Sequence, residues 1–312
     1  MDAGFLTIMT SYLATAVNMA TPLVLAGLGE TISEKSGILN ISVEANLLAG
    51  AFAGFIVAFL TKSLFLGVLA GMAGGVIVSM IHAVLSIKCK ANQTIVGLAL
   101  NFLVLGLTSF LFFMAFGRTT ILPSCQIVGK TKIPLLCKIP IIGPVLFSQD
   151  VFIYFTLLSV IVIAVIFYKT EWGVHLHAVG ENPRAADTAG INVFRIRYLA
   201  CLLNGIFCGL GGAYMTLGQF GFFIENITAG RGYIALAVVI LGRRNPLGVF
   251  VSALIIGLAE ALQYSLQTLV IPIPSQVFTM FPYVVAVIVL LLSVGKSSDP
   301  VALGVPYERN KR

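Results

Sequence analysis

Glu44 is the only charged residue between Ser36 and Leu60, with Asn40 four residues before it and Asn46 two after. If this stretch is helical, Asn40 and Glu44 share a face. A second polar stripe, Glu260, Gln263 and Gln267, recurs at helical spacing in another apolar run. Polar groups at membrane depth are costly and usually turn toward a bundle interior or an aqueous path. Both sets therefore read either as lining a route for a polar solute or as bracing helices, and Glu44 capping a half-helix fits the second. Asn18, Asn101 and Asn204 are single amides suited to helix-to-helix hydrogen bonds, with Asn101 also counted toward a path. Gln219, Phe220, Phe222 and Phe223 combine rings with an amide, as stacking and edge-bonding of a nucleobase would need. An interfacial aromatic belt has the same composition. Arg231, between Gly230 and Gly232, is placed to hold a turn against Glu225 or to face a solute.

Other chemistries lack their residues. Gly129-Lys130-Thr131 echoes a phosphate loop, but Ser124 stands where the leading Gly must be. His82, His175 and His177 form no metal-ligand cluster, and no carboxylate pair has a hydrolase setting. His175 and His177 suit lipid headgroups or a protein partner. Neither catalysis nor a bound cofactor or metal is expected of this chain.

The elements that must carry these residues are membrane spans. Of 312 residues, 58% are hydrophobic and 10% charged, where a soluble domain has about 25% charged. Mean hydropathy is +1.02. Seven apolar runs reach or approach the roughly 20 residues that cross a bilayer: 5–28, 64–87, 93–116, 151–168, 198–217, 247–270 and 276–294, with no Asp, Glu, Lys or Arg except Glu260 in the sixth. Weaker runs at 45–60 and 232–242 bring the expectation to eight or nine spans, some short or broken, in an all-α transmembrane bundle. The first run is too long, and lacks the cleavage pattern, for a signal peptide. Glycines 71, 74 and 75, and 205, 209, 211 and 212, predict close helix packing. Pro22, Gly37 and Gly50 permit a broken helix. Five scattered cysteines fit no zinc site. Cys125 and Cys137 could pair only in an oxidising compartment, and free thiols are expected.

Charge gives the sidedness. Thirteen of the 19 Lys and Arg fall at Lys35, the Lys88–Lys90 turn, residues 169–197, Arg243–Arg244 and the C-terminal tail. This side is expected to be cytoplasmic, and with it the net charge of +7 reports topology rather than a nucleic-acid partner. Residues 117–149, with Pro123, Pro134, Pro140 and Pro144, are then an external, non-helical cap. The N-terminus falls outside. One membrane domain over 1–295 and a cytoplasmic tail over 296–312 follow.

In the large cytoplasmic loop, Asn182 is a plausible N-cap, Pro183 suits the first helical position, and Gly190 supplies a stop. A two-turn helix of this kind is marginal alone and needs a partner surface. The stretch from Ala178 to Val193 resembles the coupling-helix loop of ABC importer permeases in the ribose and branched-chain amino acid permease superfamily. Its wording is similar to the nucleoside branch, which works with lipoproteins of the basic membrane protein type. Segments 34–44 and 228–242 resemble the same branch, so the likeness covers roughly residues 22–294. Departures are Arg244, where the family usually has an aromatic, and Ala45, where it has Gly. The resemblance implies a type II-like importer fold and a bacterial cytoplasmic (inner) membrane, multi-pass. It implies that Gly180, Glu181, Asn182, Pro183, Arg184, Ala185, Ala186 and Gly190 form the ATPase-coupling segment. The implied partners are an ABC ATPase subunit using ATP and Mg, a second homologous permease, a binding lipoprotein or periplasmic protein, and membrane lipid. The implied cargo is a nucleoside. Riboflavin and sugars are the alternatives within the class, and an ATP-independent channel or carrier is the alternative outside it.

Overall fold

The computed structural model describes residues 3–117, 122–132, 137, 142–267, 274–292 and 299–309. Its helices, in chain order, begin with α1 (Ala3–Lys35), α2 (Val43–Thr61), α3 (Leu64–Ala83) and α4 (Gln93–Phe116). There follow α5 (Ile142–Leu146), α6 (Val151–Lys169), α7 (Glu171–Glu181) and α8 (Pro183–Thr188). The last four are α9 (Val193–Tyr214), α10 (Arg231–Leu241), α11 (Pro246–Gln267) and α12 (Ser275–Leu292). π-helical turns extend α3 over Val84–Lys88 and α9 over Met215–Phe220. Among the described residues, seven helices are long and apolar enough to span a membrane, and two shorter apolar ones, Arg231–Leu241 and Gln276–Leu291, join them. The chain is a multi-pass membrane protein. The weak run at 45–60 proves part of a 19-residue helix, which starts at Val43 and takes Glu44 and Asn46 into its first turn.

α2, α3 and α9 form the tightest packing, and glycine makes it possible. A Cβ on Gly212 would lie 1.9 Å from the Leu47 carbonyl oxygen, and one on Gly75 would lie 2.3 Å from that of Gly205. Both neighbours are helix backbone and cannot swing aside. Overpacking typically costs about 1–3 kcal/mol even where side chains can adjust. Gly212→Leu is therefore expected to cut the amount of folded protein in the membrane at least fivefold, measured by detergent extraction and size-exclusion chromatography.

α1 shows how a helix-breaking residue is accommodated in a span. Pro22 has no N–H, so the Asn18 carbonyl four residues earlier loses its helical partner. Gln219 repairs it from the end of α9, its Nε2 donating to Asn18 O at 2.7 Å. The Asn18 side chain in turn accepts from the Tyr214 hydroxyl at 2.9 Å.

Outside the bundle, β1 (Thr131–Lys132) pairs antiparallel with β2 (Ser148–Gln149), Thr131 opposite Gln149. The Cys125 N–H donates to Gly221 O at 2.8 Å and the Val128 N–H to Leu217 O at 2.9 Å. Among its described residues, the cap expected to be non-helical holds a short helix, α5, with Pro144 near its start. Pro134, Pro140, Arg118 and Lys138 lie outside the described residues, as do Lys296, Lys311 and Arg312. All five cysteines are free thiols.

The segments grouped by charge meet at one end of the helices. Gly180 abuts the Lys35 carbonyl, Lys90 pairs with Glu308, and Arg309 pairs with Asp187. Arg231, which is outside that charged group, is drawn into the bundle.

Candidate functional site

α10 is too short to span a membrane, and its N-terminus stops against α2. Its first amides would be orphaned there, and Glu44 takes them. Glu44 Oε1 accepts from Gly230 N at 2.8 Å and Thr228 Oγ1 at 2.5 Å, while Oε2 accepts from Gly232 N at 2.6 Å. A carboxylate at a helix N-terminus also meets the positive end of its dipole. Asn101 ties α4 to the same point, accepting from Ala45 N at 2.9 Å and donating to Ile41 O and Tyr233 Oη, both at 3.0 Å.

Asn40 lies in the turn before α2 rather than on its face, and its polar atoms are taken internally. Its Nδ2 donates to Asn204 Oδ1 at 3.0 Å, as does Asn46 Nδ2. Asn40 Oδ1 accepts from Ser42 N at 3.0 Å. Behind them stands Glu30, which accepts from Asn40 N at 3.0 Å and from Asn204 Nδ2 at 2.6 Å. Glu30, Asn40, Asn46 and Asn204 are all fully enclosed. The sequence reading passed over Glu30 because α1 was ended at the apolar run. The spacing of Glu30 and Glu34, four residues apart just beyond it, was the available signal.

The aromatic segment divides. Phe223 is fully buried and packs against Phe52, Phe55 and Phe112 from α2 and α4, with centroids 5.3–6.1 Å apart. Phe220 and Phe222 lie tilted against each other, centroids 5.9 Å apart, and keep part of their surface open. Gln219 serves Pro22, as described above. Glu260 pairs with Arg231 at 3.4 Å, both nearly enclosed. Arg231 thus holds Glu260, not Glu225, because its place in the first turn of α10 points it at α11. Gln263 lies one turn beyond Glu260, half-buried.

Around this point the bundle surface is neither closed nor purely aliphatic. Tyr233 is 44% exposed and Tyr283 45%. Their hydroxyls are tethered, the first by Asn101 and the second by donating to Ala229 O at 2.7 Å. Neither tyrosine is singled out in the sequence.

At the end of the bundle where the charged segments meet, the expected two-turn helix is present. Asn182 Oδ1 accepts from Ala185 N at 3.1 Å, Pro183 opens α8, and Gly190 ends it at φ +87°. The eight candidate residues do not share one role. Gly180 faces inward, where a Cβ would lie 2.2 Å from the Lys35 carbonyl oxygen. Ala186 is buried in the main core, whereas Glu181, Asn182, Arg184, Ala185 and Gly190 are exposed. His177, on α7, packs edge-on to Phe167 at 5.5 Å. Burial, then the Lys35 charge, holds its pKa below the usual histidine range, so it is neutral near pH 7.

Residues 12–293 match the family described as branched-chain amino acid transport system / permease component. The chain belongs to that family. It is 37% identical to the guanosine ABC transporter permease protein NupQ of Bacillus subtilis, over 94% of this chain and 95% of that one. It is 36% identical to the nucleoside ABC transporter permease protein NupC of Lactococcus lactis, again over 94% and 95%. An ABC permease of Haloferax volcanii assigned to glucose is 35% identical over 94% of each chain. A solved inward-facing ABC transporter assigned to the metal-chelate type shares the fold, with a TM-score of 0.52 and 18% identity, covering 90% of this chain and 85% of that one. Family membership makes the chain an ABC transporter permease subunit.

Proposed function

We propose that this chain is one membrane half of an importer that carries nucleosides across a bacterial cytoplasmic membrane. The likeness to two nucleoside permeases over nearly the whole chain carries this reading. A second, related permease closes the path, a separate ATPase consumes ATP and Mg, and a binding lipoprotein or periplasmic protein delivers the cargo. α8 docks the ATPase through its exposed face, and residues 1–295 act as one permease domain. The path runs along the face where α10 begins, with Tyr233 and Tyr283 offering ring surface and Gln263, Phe220 and Phe222 bordering it. Glu44, Asn40, Asn101 and the Arg231–Glu260 pair keep that face in shape. Glucose transport is the second reading, favoured by the Haloferax relative.

Radiolabelled guanosine uptake tests the cargo in cells lacking this gene and in cells carrying it on a plasmid. Restored uptake upholds the nucleoside reading. Unchanged guanosine uptake with lost glucose uptake overturns it in favour of the sugar. Stacking a base on an aromatic ring is worth about 1–3 kcal/mol by alanine substitution, roughly fivefold or more. Tyr233→Ala with Tyr283→Ala is accordingly expected to lower guanosine uptake at least fivefold at unchanged protein level.

A further inference from the structure

Residues 299–309 run as an irregular segment across the cytoplasmic end of the bundle, and their bonds reach almost every element there. Asp299 pairs with Arg244, whose guanidinium also holds Glu34 at the end of α1. Arg244 stands where the family usually has an aromatic, and here it anchors the segment's start. Two backbone bonds then set its register: Ala302 N–H donates to Gly180 O of α7, and Gly304 N–H donates to Gly37 O after α1, both at 3.0 Å. Arg197 of α9, 1% exposed, clasps it by donating through Nη1 to Val305 O at 3.1 Å and through Nε to Ser36 O at 3.2 Å.

The far end grips α8. Asp187 Oδ2 accepts from the Tyr307 hydroxyl at 3.0 Å and from Arg309 Nε at 2.9 Å. Arg309 is largely exposed, and such pairs contribute little. Tyr307 is 7% exposed, with its ring against Phe194 at 5.6 Å. Asp187 lies next to the last residue of α8, where a carboxylate opposes the helix dipole. Its place there is explained by these donors rather than by helix stability.

We propose that the 299–309 segment is a strap that positions the coupling helix, with Tyr307 as the positioning residue acting through Asp187. α8 is six residues long and carries one buried side chain, Ala186. A load applied to its exposed face would tilt it on that single contact. The strap supplies the second contact and joins it to α1, α9 and the α10–α11 turn, so that α8 moves with the bundle. This inference rests on the reading of α8 as the ATPase-docking helix.

The test uses the complete transporter with its ATPase and binding protein in lipid vesicles, comparing Tyr307→Ala, Tyr307→Phe and Asp187→Asn. One readout is cargo moved per ATP hydrolysed, with guanosine or glucose, whichever the unaltered transporter carries. A cargo-independent readout is amide hydrogen exchange across 183–190. The strap predicts at least a fivefold lower ratio, ATP hydrolysis retained, and at least threefold faster exchange. If Tyr307→Ala does not assemble, Tyr307→Phe and Asp187→Asn, which keep the ring packed, decide by the same measures. An unchanged ratio overturns the proposal, whether or not exchange quickens. Ala185→Glu in the same assay separates the two levels. If Ala185→Glu leaves the ratio intact, the docking reading fails; if it uncouples while the Tyr307 and Asp187 variants do not, only the strap fails.

Discussion

Glu44→Ala is expected to abolish uptake and to lower the melting temperature of the purified transporter, although residue 44 is only a few atoms of a 312-residue chain. The substitution strands three donors at once, the Thr228 hydroxyl and the amides of Gly230 and Gly232. Each buried donor left without an acceptor costs about 1–3 kcal/mol, and a folded domain has a margin of about 5–15 kcal/mol in all. Hydrocarbon offers no water to take the donors over. α10 has no span-length partner of its own to hold it, and Tyr233 and Arg231 sit in its first turn. Its loosening would therefore disperse the proposed path face as well as the fold. Glu44→Gln keeps one carbonyl acceptor but turns an NH2 toward donors, so an intermediate loss is expected. Membrane-fraction yield, melting by fluorescence-detected chromatography, and uptake would check the series. Uptake and melting of Glu44→Ala equal to those of the unaltered protein would show that the cap is dispensable.

Much of this arrangement was legible before the structure, and the reasons differ from place to place. The spans were readable because bilayer thickness imposes a length on any apolar helix. The glycine clusters were readable because only backbone-to-backbone approach makes their absence of side chain useful. α8 was readable because Asn182, Pro183 and Gly190 each satisfy a local geometric need. The polar residues were not assignable in this way. Asn40 and Glu44 have the same composition whether they face a solute or each other's neighbours, and the deciding partners, Asn204 and Gly232, lie more than 150 residues away. Gln219 could be understood only together with Pro22, since the carbonyl it serves is freed by a proline in another helix. Tyr233 and Tyr283 became visible because exposure at membrane depth is a property of the folded surface. The proposed strap was hidden for a related reason: residues 299–309 read as a tail, and the two bonds that set their register go to the Gly180 and Gly37 carbonyls, which carry no sequence signal.

Ala185→Glu and Ala186→Glu, neighbours on one short helix, are expected to fail in different ways. Ala185 is exposed, so its replacement leaves the bundle intact and places a charge and four extra heavy atoms on the face proposed to dock the ATPase. Desolvating an unpaired carboxylate in an interface costs several kcal/mol, and about 1.4 kcal/mol is already tenfold. At least a tenfold loss of uptake is expected, with normal melting, normal membrane yield and weakened co-purification of the ATPase. Ala186 is 4% exposed and packs in the main core. A carboxylate there is buried without a partner, so yield and melting temperature should fall before any question of coupling arises. Measuring ATPase stoichiometry and melting on both variants distinguishes the outcomes. Loss of the ATPase from Ala185→Glu at unchanged stability assigns the exposed face of α8 to docking. Full uptake by that variant would move the docking surface elsewhere on this end of the bundle, and a stable Ala186→Glu would mean that α8 does not seat on the bundle as its burial requires.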